Sequence, residues 1–484
     1  MGKFSSVIKS YPRNFWISNV LELFERWAWY GMFMVLALYL TGSTDTGALG
    51  FSQEQKGILM GSVVAILYVL PIITGAIADK YGYKKVLAVS FIILASGYVF
   101  MVSFSSYTLV FLSFIYLAIG AALFKPVISA CIAKTTNPSN SSIGFGFFYM
   151  MVNIGAFIGP IFASKLRVIN WHWVFILSAG VILLNLLLLI LFFKEPEREL
   201  NSDPLLKSLK IIIKNIGTAL SDFRFVIFLI LIVGFWTMYN QLFYTLPVFI
   251  EQWMDTSSVY NFLHSISPWL AQKIGTKEAT IAPEMLTNLD AMYIVLFQIL
   301  ISYLVMRLKP LHAMISGFLV SSIGIALMFM FNNPMFLFFS ILIFAIGEMS
   351  SSPKITEYIG RIAPKEKVAL YMGCSFLPMA GGNFFAGLLS GKVYQKTSDK
   401  LSLLKQEVST RSLNIPEISE KFSQNDYYAE ACNQMNMTYA ELTEYLWQSY
   451  QPGKIWIIFA SIGIGTVILL TIYDKFIIKK TIRI

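Results

Sequence analysis

The chain reads as an all-α membrane protein of about twelve transmembrane helices arranged as two six-helix halves. Three observations predict that class: a composition too apolar for water, apolar runs of membrane-crossing length along the whole chain, and a pattern in the fourth run that returns in the tenth. Of 484 residues, 56% are hydrophobic and only 13% charged, with a mean hydropathy of +0.65. Soluble domains carry roughly 25% charge. In lipid every backbone polar group must be bonded within a helix or a closed barrel, so runs of this length read as helices.

The predicted spans are, in order, 16–40, 56–77, 85–103, 108–133, 144–164, 173–193, 223–248, 288–307, 311–331, 336–359, 368–391 and 454–474. The first is anomalous. "LELFERWAWYGM" places Glu22, Glu25 and Arg26 at i, i+3 and i+4, on one helix face. Each charge near mid-bilayer costs about 2.5 to 3.5 kcal/mol on insertion scales.

Orientation follows from Lys and Arg in the short loops. Lys3, Lys9 and Arg13, "DKYGYKK" (79–85), Lys134, the segment 194–222, "RLK" (307–309), "RIAPKEK" (361–367) and the tail "KFIIKKTIRI" fall on one side, which is the cytoplasmic side. Both termini are therefore expected there, in a cell membrane. The net charge of +10 reads as inner-face anchoring against the lipid bilayer, and no nucleic-acid partner is expected. No cleavable signal peptide is read at the start, because the first apolar run contains charges. "MGKFSS" fits the Gly2 myristoylation pattern, and a chance match is the plainer reading. Cys131, Cys374 and Cys432 suggest neither a disulfide framework nor a metal site.

Residues 194–222, charged and carrying two prolines, read as a cytoplasmic linker between an N-terminal half (1–193) and a C-terminal half (223–484). Residues 249–287 and 392–453 are expected outside. For the second, short helices and a loosely ordered insertion are equal readings.

"GAALFKPVISACIAK" and "GEMSSSPKITEYIGR" share a glycine, a proline six positions on, and a basic residue eight further: Gly120, Pro126, Lys134 and Gly347, Pro353, Arg361. A glycine-rich span with an asparagine follows each, Asn153 in one and Asn383 in the other. Parallel six-span repeats are the architecture of major facilitator transporters, with a midplane substrate site between the halves. Lys125 and Glu348 then occupy related helices with opposite charges and are expected to face each other. Glu22, Glu25, Arg26 and Lys125 balance to neutrality, and protonating one Glu would unbalance them, which is the chemistry of a proton-coupled carrier. The plainer readings are a static ion pair for the first three and an interfacial lysine for Lys125.

At these residues the chain resembles the proton-dependent oligopeptide transporter family of the major facilitator superfamily. Glu22-Leu-Phe-Glu25-Arg26-Trp27-Ala28-Trp29-Tyr30 is similar to its E-x-x-E-R-F-x-Y-Y signature, and "LFKPVIS" to its F-K-P element. "FYMMVNIG" resembles F-Y-x-x-I-N-x-G, and "GEMSSSPKITEYIGRIAP" resembles G-E-L-x-x-x-P-x-G-L-E-F-x-x-x-x-A-P. "GAIADKYGYKK" resembles the superfamily's loop between the second and third spans. The resemblance implies a proton-coupling cluster of Glu22, Glu25, Arg26 and Lys125. It also implies a substrate site of Tyr30, Tyr68, Lys125, Asn153, Asn288 and Glu348, where Lys125 attracts a carboxylate and Glu348 an amino terminus, and an inner gate of Asp79, Lys84 and Lys85. Core packing is an even alternative for Tyr68, and interhelical hydrogen bonding is the favoured reading of Asn383.

The departures concern the same regions. Trp27 and Trp29 replace the signature's aromatics, Phe33 stands where an arginine often follows Gly-Met, Asn240 stands at the seventh span's usual acid, and Ser375 replaces a tryptophan. In the eighth span the N-P pair is Asn288-Leu289, followed by Asp290. Asp290 reads either as a displaced titratable group or, more simply, as an acid favoured by a helix start. The linker is too short and polar for the extra helix pair of many bacterial members.

The expectation is an alternating-access importer of short peptides, with the proton as coupling ion, no other cofactor, no metal, a small-molecule substrate and a monomeric state. A carrier of another anionic or zwitterionic solute is the close alternative. A drug exporter and a transport-dead sensor or scaffold follow. No enzyme is indicated, since His172, His264 and His312 are scattered and no nucleophile accompanies them.

Overall fold

The computed structural model describes residues 8, 10–137, 140–196, 204–328, 333–364 and 367–478. Gly2, Lys3, Lys9, Lys365 and the last basic residues of the tail lie outside the described residues. Regular structure among those described is helical, apart from one isolated bridge between Ser419 and Phe422.

Among the described residues ten helices are long and apolar enough to cross a membrane, or eleven if the pair Gln53–Val69 and Pro71–Tyr81, bent by 45°, counts as one span. The bend sits at Pro71, whose ring removes a donor and disfavours a straight continuation. In the twelfth place stands Arg13–Thr41, 29 residues long, whose Glu22, Glu25 and Arg26 lower its hydropathy. The seventh span breaks after Tyr239 and again at Thr245. The eighth starts earlier than its apolar run, as Pro283–Thr287, and continues as Leu289–Val305.

The repeat has a packing basis. A Cβ on Gly120 would come 3.1 Å from the Leu94 nitrogen, and one on Gly347 would collide with the Gly317 carbonyl oxygen and the Ser321 nitrogen. In both copies the motif glycine lets its helix close on the span before it. Both motif prolines lie inside helices, Tyr107–Lys134 and Met335–Ile362, and each frees a carbonyl four residues earlier. Thr74 Oγ1 donates to Ala122 O at 2.6 Å, and Gln298 Nε2 to Met349 O at 3.5 Å, so a neighbouring span answers each.

The segment expected as a polar linker contains a helix, Leu205–Leu220. Leu205, Leu209, Ile212, Ile216 and Ala219 recur at helical spacing between lysines, which a charge count conceals. It packs on Pro71–Tyr81 and Val368–Gly373. The segment 392–453 also takes the ordered alternative, with helices Lys400–Thr410, Gln424–Met435 and Tyr439–Tyr450. The latter two start at reciprocal capping boxes, Ser423 with Asp426 and Thr438 with Glu441. Tyr445 and Tyr450 donate to the two Glu407 oxygens at 2.7 and 2.8 Å, which ties the group together.

The chain divides into two compact units. One comprises Met1–Met32, Val63–Ile227 and Ile359–Ala380, and the other Phe33–Ser62, Phe228–Tyr358 and Gly381–Ile484.

Candidate functional site

In the first unit the helix Arg13–Thr41 carries the predicted face. Arg26 Nε lies 3.2 Å from Glu22 Oε1, its Nη2 pairs with Glu25, and all three side chains are buried. Small and polar neighbours hold this face in place. Gly155 sits where a Cβ would come 2.8 Å from Arg26 Cβ, and Gly159 where one would come 3.1 Å from Gly31 Cα. Asn185 Nδ2 donates to Leu21 O at 2.9 Å and Ser178 Oγ to Ala28 O at 3.1 Å.

Lys125 precedes Pro126 deep in its helix, with Nζ 4.3 Å from the Tyr68 ring centroid. The ammonium acts electrostatically on Glu22, Glu25 and Arg26, and Tyr30 and Tyr68 act on Arg26. The structure therefore brings together Glu22, Glu25, Arg26, Tyr30, Tyr68 and Lys125. A cation over an aromatic face in a desolvated site is attracted by about 2 kcal/mol. Tyr68 thus contacts the cluster directly.

A cavity of about 840 Å³ opens beside this cluster, lined by Glu22, Arg26 and Lys125. Asn215 and Ile216 of the helix Leu205–Leu220 and Leu370 and Phe376 line it too. Sequence reasoning missed the linker helix as a wall of the site. The apolar period within 205–220 was the available signal.

The other first-unit residues lie apart. Asn153 is half-buried and its amide donates to Tyr149 O of its own helix at 2.8 Å. Asp79 accepts from Tyr83 Oη at 3.1 Å, and Lys85 is exposed. Lys84 Nζ donates to Phe193 O at 2.8 Å, while Glu195 accepts from the Tyr83 and Lys84 amides, both at 2.8 Å.

The second unit holds Glu348 and Asn288, both buried. Glu348 lies close to Tyr239 and to Asp290, which is buried two residues beyond the helix break at Asn288. Tyr239 was not singled out from sequence, although it directly precedes the Asn240-Gln241 pair. Asn240 is spent locally, its Nδ2 donating to Trp236 O at 2.7 Å, whereas Gln241 Nε2 donates to Thr237 O at 3.1 Å and also across to Ala386 O of another helix at 3.3 Å. Asn383 Oδ1 accepts from Tyr244 Oη at 2.8 Å, the interhelical bond expected of it.

A buried, charge-balanced cluster beside a cavity in a many-span helical chain is the layout of a membrane carrier. The sequence profile described as Major Facilitator Superfamily matches residues 16–271. The chain belongs to the Major Facilitator Superfamily. Among curated relatives of this superfamily member, the peptide transporter YePEPT of Yersinia enterocolitica is 28% identical over 179 residues, 36% of this chain and 34% of that protein. The dipeptide and tripeptide permease B of Salmonella typhimurium is 34% identical over 163 residues, 32% of each chain. The matched stretches thus span about a third of those relatives' length. A solved POT family transporter in complex with a thioalcohol conjugated peptide has a TM-score of 0.70 at 18% identity, covering 97% of this chain and 99% of that one. Another, in complex with 5-aminolevulinic acid, has a TM-score of 0.69 at 18% identity, with 97% and 96% covered. At that identity the likeness is one of fold, and it agrees with the major facilitator architecture read from the repeat. The relatives agree with the resemblance read from the motifs.

Proposed function

We propose that this major facilitator protein is a proton-coupled importer of short peptides, working by alternating access of halves 1–193 and 223–484 in a cell membrane with both termini cytoplasmic. The observation that carries this reading is the ion cluster of Glu22, Glu25 and Arg26 with Lys125 beside an 840 Å³ cavity. Protonating either glutamate releases its partner charge, and the freed cation is then available to a substrate carboxylate. That coupling of proton to solute needs the cluster buried, because in water the same charges would be screened.

Lys125 takes the substrate's carboxylate and Glu348 its amino terminus. Tyr30, Tyr68, Asn153 and Asn288 supply neutral contacts, and Asp79, Lys84 and Lys85 serve the inner gate. The proton is the only coupling partner, and the protein acts as a monomer without catalysing a covalent change. The named activities of the peptide-carrying relatives support the substrate class. Another zwitterion is the second reading, favoured by Phe33, which packs 5.9 Å from the Tyr244 ring and brings no charge to its position.

Uptake of a labelled dipeptide into proteoliposomes, with and without an inward proton gradient, tests the proposal. Gradient-driven uptake abolished in both Glu22→Gln and Lys125→Ala supports it. No uptake by wild type in sealed vesicles overturns the peptide reading.

A further inference from the structure

The helix Leu205–Leu220 connects the two sequence halves, and its sides differ in chemistry. Leu205, Leu209, Ile212, Ile216 and Ala219 follow one another along one side, while Lys207, Lys210 and Lys214 are exposed on another. That division turns the apolar side to the protein, where the helix packs on Pro71–Tyr81 and Val368–Gly373. Ile212 and Ile216, one turn apart, thereby line the cavity of about 840 Å³ and stay half-buried.

The remaining lining has two chemistries. Ile72, Phe148, Leu370 and Phe376 add apolar surface from the second, fifth and eleventh spans. Glu22, Arg26, Lys125 and Lys367 supply the charges. Arg26 is engaged by Glu22 and Glu25, whereas Lys125 meets the Tyr68 ring and Lys367 is exposed. The positive charge left over selects an anion, and apolar side chains still within reach of solvent favour a ligand that removes them from water. A bare carboxylate would leave those side chains wet.

We propose that the linker helix is part of the substrate site: Ile212 and Ile216, with Leu370 and Phe376, form an apolar subsite that makes the protein favour anions with a branched apolar body. The connection between the halves is then a specificity-determining wall as well as a tether. For a peptide the subsite takes the side chain next to the carboxylate. That peptide form of the inference rests on the carrier reading above, whereas the subsite for an apolar anion does not.

Calorimetric titration of the full chain in lipid nanodiscs with alanyl-leucine, alanyl-glycine and isocaproate tests the subsite. Isocaproate carries the carboxylate and the branched body without an amino terminus or a peptide bond. Alanyl-leucine should bind wild type at least about tenfold more tightly than alanyl-glycine. Ile216→Ser should shrink that ratio several-fold and weaken isocaproate alike, and Ile216→Leu, which keeps an apolar side chain of the same size, should preserve both. Should Ile216→Ser not fold, Ile212→Ser must give the same result. A ratio that the serine variant leaves unchanged overturns the proposal. Binding of both dipeptides without preference leaves the peptide reading standing and overturns the subsite. Binding of isocaproate through Ile216, with neither dipeptide bound, leaves the subsite standing and overturns the peptide reading. No binding of any of the three overturns both.

Discussion

Gly57 and Gly387 meet backbone to backbone, each placed where the other's carbonyl would collide with a Cβ. One turn along, a Cβ on Gly61 would come 2.9 Å from Gly387 Cα, and one on Gly391 would come 3.2 Å from Gly57 Cα. Two G-x-x-x-G patterns, 57–61 and 387–391, thus form one close crossing, the geometry small residues permit in membranes. Beside it the buried Lys56 Nζ donates to Tyr244 O at 2.9 Å.

Gly57→Val should force this crossing apart at a cost of about 1–3 kcal/mol, the usual penalty for overpacking. A lower melting temperature than wild type would register the separation. An unchanged melting temperature would show that the crossing absorbs a side chain.

Thr74 answers the carbonyl that Pro126 leaves free. Thr74→Val keeps the volume and removes the donor, so Ala122 O is left unsatisfied at a cost of about 1–3 kcal/mol. The melting temperature should fall, and dipeptide KM should rise because Lys125 rides on the same turn. Equal melting and KM would assign the Pro126 kink to other contacts.

Ile216 lines the cavity beside Glu22 and Lys125 from the linker helix. A cysteine there should react with a small polar thiol reagent, and saturating dipeptide should slow that reaction several-fold. Labelling indifferent to substrate would separate this cavity from the substrate route.

The hydrogen bonds of Asp45 predict a pH effect outside the membrane spans. Burial raises this carboxyl, but the bonds from Ser43 and Asn425 outweigh it, so the group lies below its ordinary value of 3.8. Asn425 Nδ2 lies 2.9 Å from Asp45 Oδ2. A depressed folded-state value contributes stability that is present above the ordinary value and lost as the pH falls through the folded one. Asn425→Ala should therefore melt earlier than wild type at pH 7, and the gap should close as acid protonates Asp45. A gap independent of pH would make the contact one of packing alone.

Much of this was legible in the sequence for a physical reason. Apolar length marks spans directly, and a charge such as Glu25 inside one demands a partner, so the cluster with Lys125 could be anticipated. What stayed hidden depends on tertiary meeting or on weak periodicity. Asp290 alone is ambiguous between helix start and titrating group, and what the fold adds is that its side chain is buried in the first turn of Leu289–Val305. The helix Leu205–Leu220 was masked by its lysines, and Asn153, singled out by its motif, spends its amide on its own helix.

The salt-bridged face of Arg13–Thr41 also bears on biogenesis. Arg26 is synthesised 99 residues before Lys125. Until the span Tyr107–Lys134 leaves the ribosome, this face of the first helix offers the insertion machinery Glu22 and Glu25 against Arg26 alone, a poor candidate for lipid on its own. Its commitment to the bilayer must wait for its neighbours or be chaperoned by them. Chains arrested shortly before Tyr107 should accordingly be extracted by alkaline carbonate far more readily than chains extended past Lys134.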